Sequence, residues 1–284
     1  MRLLQVMPLS KFQTMNTNLF PFISDLKSTR GEVWGFLGNF LGNFARSTRL
    51  MHRVIATLQD DPVVCKEAMR RYIIAMASCL ETFYRDLYVY VLSQDEGSLK
   101  RVLADVRDKA TLAEIHSLIA GGLSFSEIVT GKATFGSISD VDSFVSKLFH
   151  PAGYLDTLQN YEHICLVPSR SARKVHFKLD DKWRSNLAKI FESRNALVHD
   201  ANKPFHLSAN AMASMETTVL LVPQLTAELV SKKFDGKGTL RIRDLPVLIL
   251  IDDLLSDSWR LEPEEEGMRL HGAAKSPRRS EEPA

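Results

Sequence analysis

The chain has 284 residues, 45% of them hydrophobic and 25% charged, and a formal net charge of +2. That length and apolar content support a substantial core without metal or disulfide staples, and the near-neutral charge argues against a histone-like coat for nucleic acid while leaving room for a local basic groove. Cys65, Cys79 and Cys165 are odd in number and widely spaced, which excludes a disulfide framework and a C-x-x-C zinc site and points to reduced thiols in a cytoplasmic protein.

The run from Met1 to Pro8 has one charge and too short an apolar stretch for a secretory signal. No apolar stretch reaches the ~18 residues that span a bilayer, so no membrane partner is expected. Residues 32–58 predict a long helix in which Phe36, Phe40 and Phe44 share one face. Gly38 and Gly42 suit close helix packing, since no G-x-G-x-x-G phosphate loop is present. Asp61-Pro62 opens a second helix, with Asp as cap and Pro at the first helical position. It runs to about Ser93 with Tyr72, Ile73, Met76, Leu80, Phe83 and Leu87 in its core stripe, and Glu81 and Arg85 beside that stripe.

Residues 98–150 read as several shorter helices, with a capping box at Ser124-Phe125-Ser126-Glu127 and a weaker start at Ser139-Asp140. Residues 151–180 read as irregular. Arg170, Arg173, Lys174 and Lys178 lie there and make a candidate RNA-backbone contact or, equally simply, a solvated loop. Helices follow at about 181–201, 208–231 and 245–259, the last opened by Asp244-Leu245-Pro246, with a turn at Asp235 to Gly238 and a short strand from Leu240 to Arg243. From Leu261 onward Pro, Glu, Arg and Ser dominate, and 261–284 reads as a disordered tail.

The helix from Trp183 carries the chemistry. On a helical projection Leu187, Ile190, Phe191, Leu197 and Val198 all fall within about 60° of Arg194, some on either side of it. Arg194 is thus centred on an apolar stripe, where a guanidinium must be paired or open onto a cleft. Asn195 and His199 flank the same face, four residues apart. An imidazole transfers protons near neutral pH, a guanidinium stabilises charge on phosphate oxygens and an amide orients either one. Together they suit RNA cleavage by the ribose 2′-hydroxyl without a metal or other cofactor. The bland alternative pairs Arg194 with a buried carboxylate such as Glu81 and leaves His199 as a favourable charge at a helix C-terminus. The spacing alone is weak, because Arg46 to His52 and Arg170 to His176 match looser forms of it.

Phe191-Glu192-Ser193-Arg194-Asn195-Ala196-Leu197-Val198-His199-Asp200 resembles the ribonuclease branch of the HEPN superfamily, particularly the RiboL-PSP-HEPN-like domains, and the stretch from Ala77 to Leu87 resembles an early core helix of these domains. The resemblance covers roughly 61–231. It implies an all-α, HEPN-type helical bundle, here with an extra N-terminal helix and a helical insertion: 1–60 as a helical extension, 61–260 as the HEPN-like domain, 261–284 as the tail. It further implies a homodimer with two motifs in one cleft, metal-independent endoribonuclease activity and Arg194, Asn195 and His199 as catalytic residues supported by Glu81 and Arg85. A toxin or antiviral-defence role follows, with an antitoxin or regulatory protein as a candidate partner. The position two after His199, where some HEPN toxins carry a modifiable Tyr, is Ala201. A non-catalytic HEPN module binding RNA, a nucleotide or a protein is the alternative, and a helical interaction protein with a structural Arg194 is a third.

Overall fold

The computed structural model describes residues 33–106, 120, 122, 124–131, 133–149, 153–167, 173–200, 203, 205, 207–234, 241–242, 245–255, 260–264 and 267–271. The fold is all-α, with three two-stranded antiparallel ladders beside the helices. The N-terminal run, Arg170, the turn at Asp235 to Gly238 and the end of the tail lie outside the described residues.

Helices α1 (Val33–Leu58) and α2 (Pro62–Gln94) form an antiparallel hairpin. Asp61 turns the corner, accepting from the Val63 and Val64 amides at 3.0 Å each, which satisfies two of the donors a helix start leaves over. The phenylalanine face of α1 is the interface: Phe36 and Phe40 meet Phe83 edge-on at 5.5 and 5.6 Å between centroids. Phe36, Phe40 and Phe44 are all buried, each contributing about 1.5–3 kcal/mol from apolar burial.

Helix α2 is the axis of the molecule, and α7 (Trp183–His199) and α8 (Ala209–Lys233) pack beside it. Between them run α3 (Glu96–Val106), α4 (Phe125–Gly131), α5 (Ile138–Phe149) and α6 (Tyr154–Gln159). The capping box is present, with Glu127 N donating to Ser124 Oγ and Ser124 N to Glu127 Oε2. The start of α5 is corrected by two residues: the cap is Ser137, whose Oγ accepts from Asp140 N at 3.1 Å, not Ser139. Helix α8 is buried all round from Thr218 to Ser231, so that stretch shows no single apolar stripe.

Three expectations are corrected. The segment read as irregular contains α6 and a hairpin of β1 (His163–Val167) and β2 (Arg173–Phe177), with Cys165 opposite Val175. Leu245-Pro246 is not a helix start: it is β4 and pairs with β3 (Arg241–Ile242), and the last helix, α9, covers only Ile251–Leu255. The tail is not wholly without structure, since β5 (Arg260–Glu264) pairs with β6 (Gly267–His271). Among the described residues no helix is long and apolar enough to cross a membrane.

Candidate functional site

Helix α7 is fixed at its start by the Trp183 indole, which donates to Gln159 Oε1 at 2.6 Å. Asn186 ties it to α8 through Ser214 Oγ at 2.9 Å and Thr218 Oγ1 at 3.0 Å. Leu187, Ile190 and Phe191 are buried against α2 and their neighbours. Arg194 is the next residue on that stripe, one turn beyond Ile190.

The guanidinium is held from two sides. Arg194 Nη2 lies 2.5 Å from Glu81 Oε1 on α2, and Arg194 Nη1 donates to Asn195 Oδ1 at 2.8 Å. Asn195 Nδ2 in turn donates to the Gly136 carbonyl, 3.3 Å away, just before α5. The two donor–acceptor ends of the amide are therefore both committed, which fixes its orientation. The side chains of Arg194 and Glu81 are 26% and 18% exposed, so the pair is neither a core strut nor a loose surface contact.

His199 is the last residue of α7 and is exposed, with no hydrogen bond or ion pair among the described residues. It stands about 7 Å along the axis and about 140° around the helix from Arg194. The structure thus brings Arg194, Asn195 and Glu81 together and leaves His199 apart. Arg70 Nη1 donates to the Lys203 carbonyl at 2.7 Å. With the Arg194–Glu81 contact, that bond sets α7 antiparallel to α2, so the His199 end points toward the α1–α2 corner.

The other candidates are dispersed. Arg85 is exposed on α2, one turn past Glu81 and outside the cluster. Arg173 and Lys174 lie on β2, and Lys178 follows it, 3.9 Å from Glu162 and exposed. Burial pushes the Cys79 and Cys165 thiols up to about 11, which disfavours either as a nucleophile. No group of three or more His, Cys, Asp or Glu side chains among the described residues is placed to hold a metal ion.

One cluster escaped the sequence reading. His52 Nε2 lies 3.0 and 3.2 Å from the two carboxylate oxygens of Glu216, which is buried in α8. The Tyr72 hydroxyl shares a hydrogen bond with Thr48 at 2.8 Å beside them. The hydrogen bond that His52 donates to the Glu216 carboxylate raises the His52 pKa against the opposing effect of burial. The signal that could have found it is an acid, Glu216, set in the apolar run of α8. Comparison of the chain with family models, with curated proteins and with solved structures finds no match.

Proposed function

We propose that the chain is a metal-independent endoribonuclease of the HEPN type, active as a homodimer. The observation that carries this reading is the series Glu81–Arg194–Asn195–Gly136, which holds a guanidinium in one orientation at the edge of the bundle. A guanidinium has five N–H donors, so donors beyond the two directed at Glu81 and Asn195 are left for the non-bridging oxygens of a phosphate. The ribose 2′-hydroxyl attacks the adjacent phosphorus and loses its proton to an imidazole, and the 5′-oxygen of the next nucleotide leaves with a proton. The products are a 2′,3′-cyclic phosphate and a 5′-hydroxyl. Arg194 stabilises the charge that builds on the phosphorane, and His199 moves the proton. Because the two residues diverge on one helix, Arg194 of one chain works with His199 of the other. Arg170, Arg173, Lys174 and Lys178 supply backbone contacts. Such an activity suits a cytoplasmic toxin or defence effector held in check by a regulatory protein.

Purified protein is incubated with structured and single-stranded RNA in EDTA. Cleavage lost in both Arg194→Ala and His199→Ala supports the reading, and cleavage unchanged in both overturns it. One observation favours a second reading, a helical interaction protein in which Arg194 is a structural ion pair: Glu81 already offsets the Arg194 charge at 2.5 Å, and His199 stands apart from both. Neither RNA binding nor cleavage in any condition supports that second reading, and RNA binding without cleavage points instead to a non-catalytic binding module.

A further inference from the structure

We infer that the crevice between α1 and α2 takes a guanine base, carried by an RNA strand or by a free nucleotide. The crevice holds about 300 Å³, the small end of the range for small-molecule pockets. Its floor is apolar, formed by the buried Phe40 and Phe83 where the two helices interlock. Its walls are polar: Asn39, Asn43 and Arg46 come from α1, and Ser78, Thr82 and Asp86 from α2. An apolar floor under a polar rim suits a flat heterocycle with hydrogen-bonding edges.

Asp86 selects the base. It is 3% exposed, so water screens little of what it offers to an occupant of the crevice. An ionised carboxylate only accepts hydrogen bonds, at about four lone-pair sites, which leaves room for an N–H edge beside the contacts it makes within the chain. Guanine presents two parallel N–H donors, N1 and N2, to the two oxygens, as an arginine fork does. On the same edge adenine, cytosine and uracil each set an acceptor beside the donor, and a carboxylate repels that acceptor. Asn43 suits the other edge of guanine. Its Oδ1 accepts from Arg46 Nη2, which leaves its two N–H donors for O6 and N7.

The crevice opens on the same surface as Arg194. On α2, Arg85, Ser78 and Thr82 fall about 40°, 60° and 100° around from Glu81, all in the same sense, and all three are exposed. A strand with one phosphate on Arg194 crosses this ridge to reach the crevice. Helix α1 carries no acidic residue over its 26 residues, and Arg46 stands on the far wall for a second phosphate. The path of the strand rests on the proposed function, whereas the choice of base does not.

Fluorescence anisotropy of the full chain in EDTA tests the assignment. The probes are 2′-O-methyl oligouridines, which lack the attacking hydroxyl, each with one central guanosine, adenosine or cytidine. The guanosine strand is expected to bind about tenfold tighter than the others. Asn43→Ala and Thr82→Trp, both at exposed positions, are expected to abolish that preference with an unchanged circular dichroism spectrum, Thr82→Trp by filling the crevice. Asp86→Asn replaces an acceptor with a donor and is expected to abolish it too; should that variant fail to fold, the two exposed positions decide. Guanosine and adenosine monophosphate are titrated alongside. Preference for the guanosine monophosphate without strand binding assigns the site to a free nucleotide, and strand binding that it does not compete with assigns the site to RNA. No guanine preference in either form overturns the inference, as does a preference untouched by Asn43→Ala and Thr82→Trp. A chain that selects guanine and never cleaves RNA leaves this site standing and counts against the ribonuclease alone. Cleavage by a chain with no base preference does the reverse.

Discussion

Glu81 and Arg194 meet at 2.5 Å across the contact of α2 and α7, with both side chains partly open to solvent. Exposed ion pairs contribute about 0–1 kcal/mol, whereas removing one member of a buried pair costs about 3–5 kcal/mol. The degree of burial places this pair between those limits. The proposed role needs a guanidinium that is oriented yet still reachable, and this one is held by a carboxylate and an amide while partly open to solvent.

Stability and activity are therefore expected to part at this site. His199→Ala removes an exposed side chain with no partner among the described residues, so the unfolding free energy from urea titration should change by less than about 0.5 kcal/mol. If His199 moves the proton, cleavage falls by about 10²–10⁴-fold. Arg194→Ala should cost about 1–2 kcal/mol, since it also strands Glu81. Urea titrations beside cleavage assays on the same preparations check this, and equal losses of both quantities in His199→Ala would contradict it.

The His52–Glu216 contact sets a pH dependence. The folded-state pKa of His52 is raised above the ordinary 6.5 by the Glu216 hydrogen bond. Its contribution to stability is accordingly complete below about pH 6.5 and is lost as pH rises through the higher folded value. With His52 more than a third exposed, the effect is expected to stay below about 1 kcal/mol. Urea midpoints measured from pH 6 to 9 should decline more steeply for the wild type than for His52→Gln. Parallel slopes would show that the contact carries no proton linkage.

A directional chain of hydroxyls crosses the core. Thr226 Oγ1 donates to the Val222 carbonyl at 2.7 Å, so it accepts from the Tyr154 hydroxyl, also at 2.7 Å. The Tyr154 oxygen is then the acceptor for Tyr84, 3.0 Å away. Burial raises the pKa of both phenols, which keeps them protonated as donors. Tyr154→Phe leaves the Tyr84 hydroxyl buried without its acceptor and is expected to cost about 1–3 kcal/mol. Tyr84→Phe leaves the Tyr154–Thr226 bond intact and is expected to cost less, about 0.5–1.5 kcal/mol. A double-mutant cycle checks the coupling, and the double variant should cost less than the sum of the two.

What the sequence made legible were the features written in local chemistry. The Asp61-Pro62 start, the Ser124–Glu127 box and the phenylalanine face of α1 all rest on residues within a few positions of one another, and all recur in the fold. The need of Arg194 for a partner was also readable, with Glu81 as the carboxylate of the bland alternative. Features that depend on distant partners were not. His52 and Glu216 are 164 positions apart. The strands β1 and β2 are five residues each, too short for their alternation to stand out beside a cluster of basic residues. Asp244-Leu245-Pro246 has the composition of a helix start, but proline also fits a short edge strand, and the local signal does not choose between the two.

What decides it is Gln224. Its Oε1 accepts from Ile249 N at 2.9 Å and its Nε2 donates to the Ile249 carbonyl at 3.0 Å. One amide thus satisfies both backbone groups of a fully buried residue, as a neighbouring strand would, and the segment before α9 stays extended rather than helical. Gln224→Leu removes both bonds and leaves an N–H and a C=O buried without partners. At about 1–3 kcal/mol for each unsatisfied group, partly relieved by movement of the segment, the expected loss is about 2–4 kcal/mol. Native-state hydrogen exchange should show the Ile249 amide losing its protection in this variant while amides in α2 keep theirs relative to the new global stability. An Ile249 amide that stayed as protected as in the wild type would mean that some other acceptor holds this segment in place.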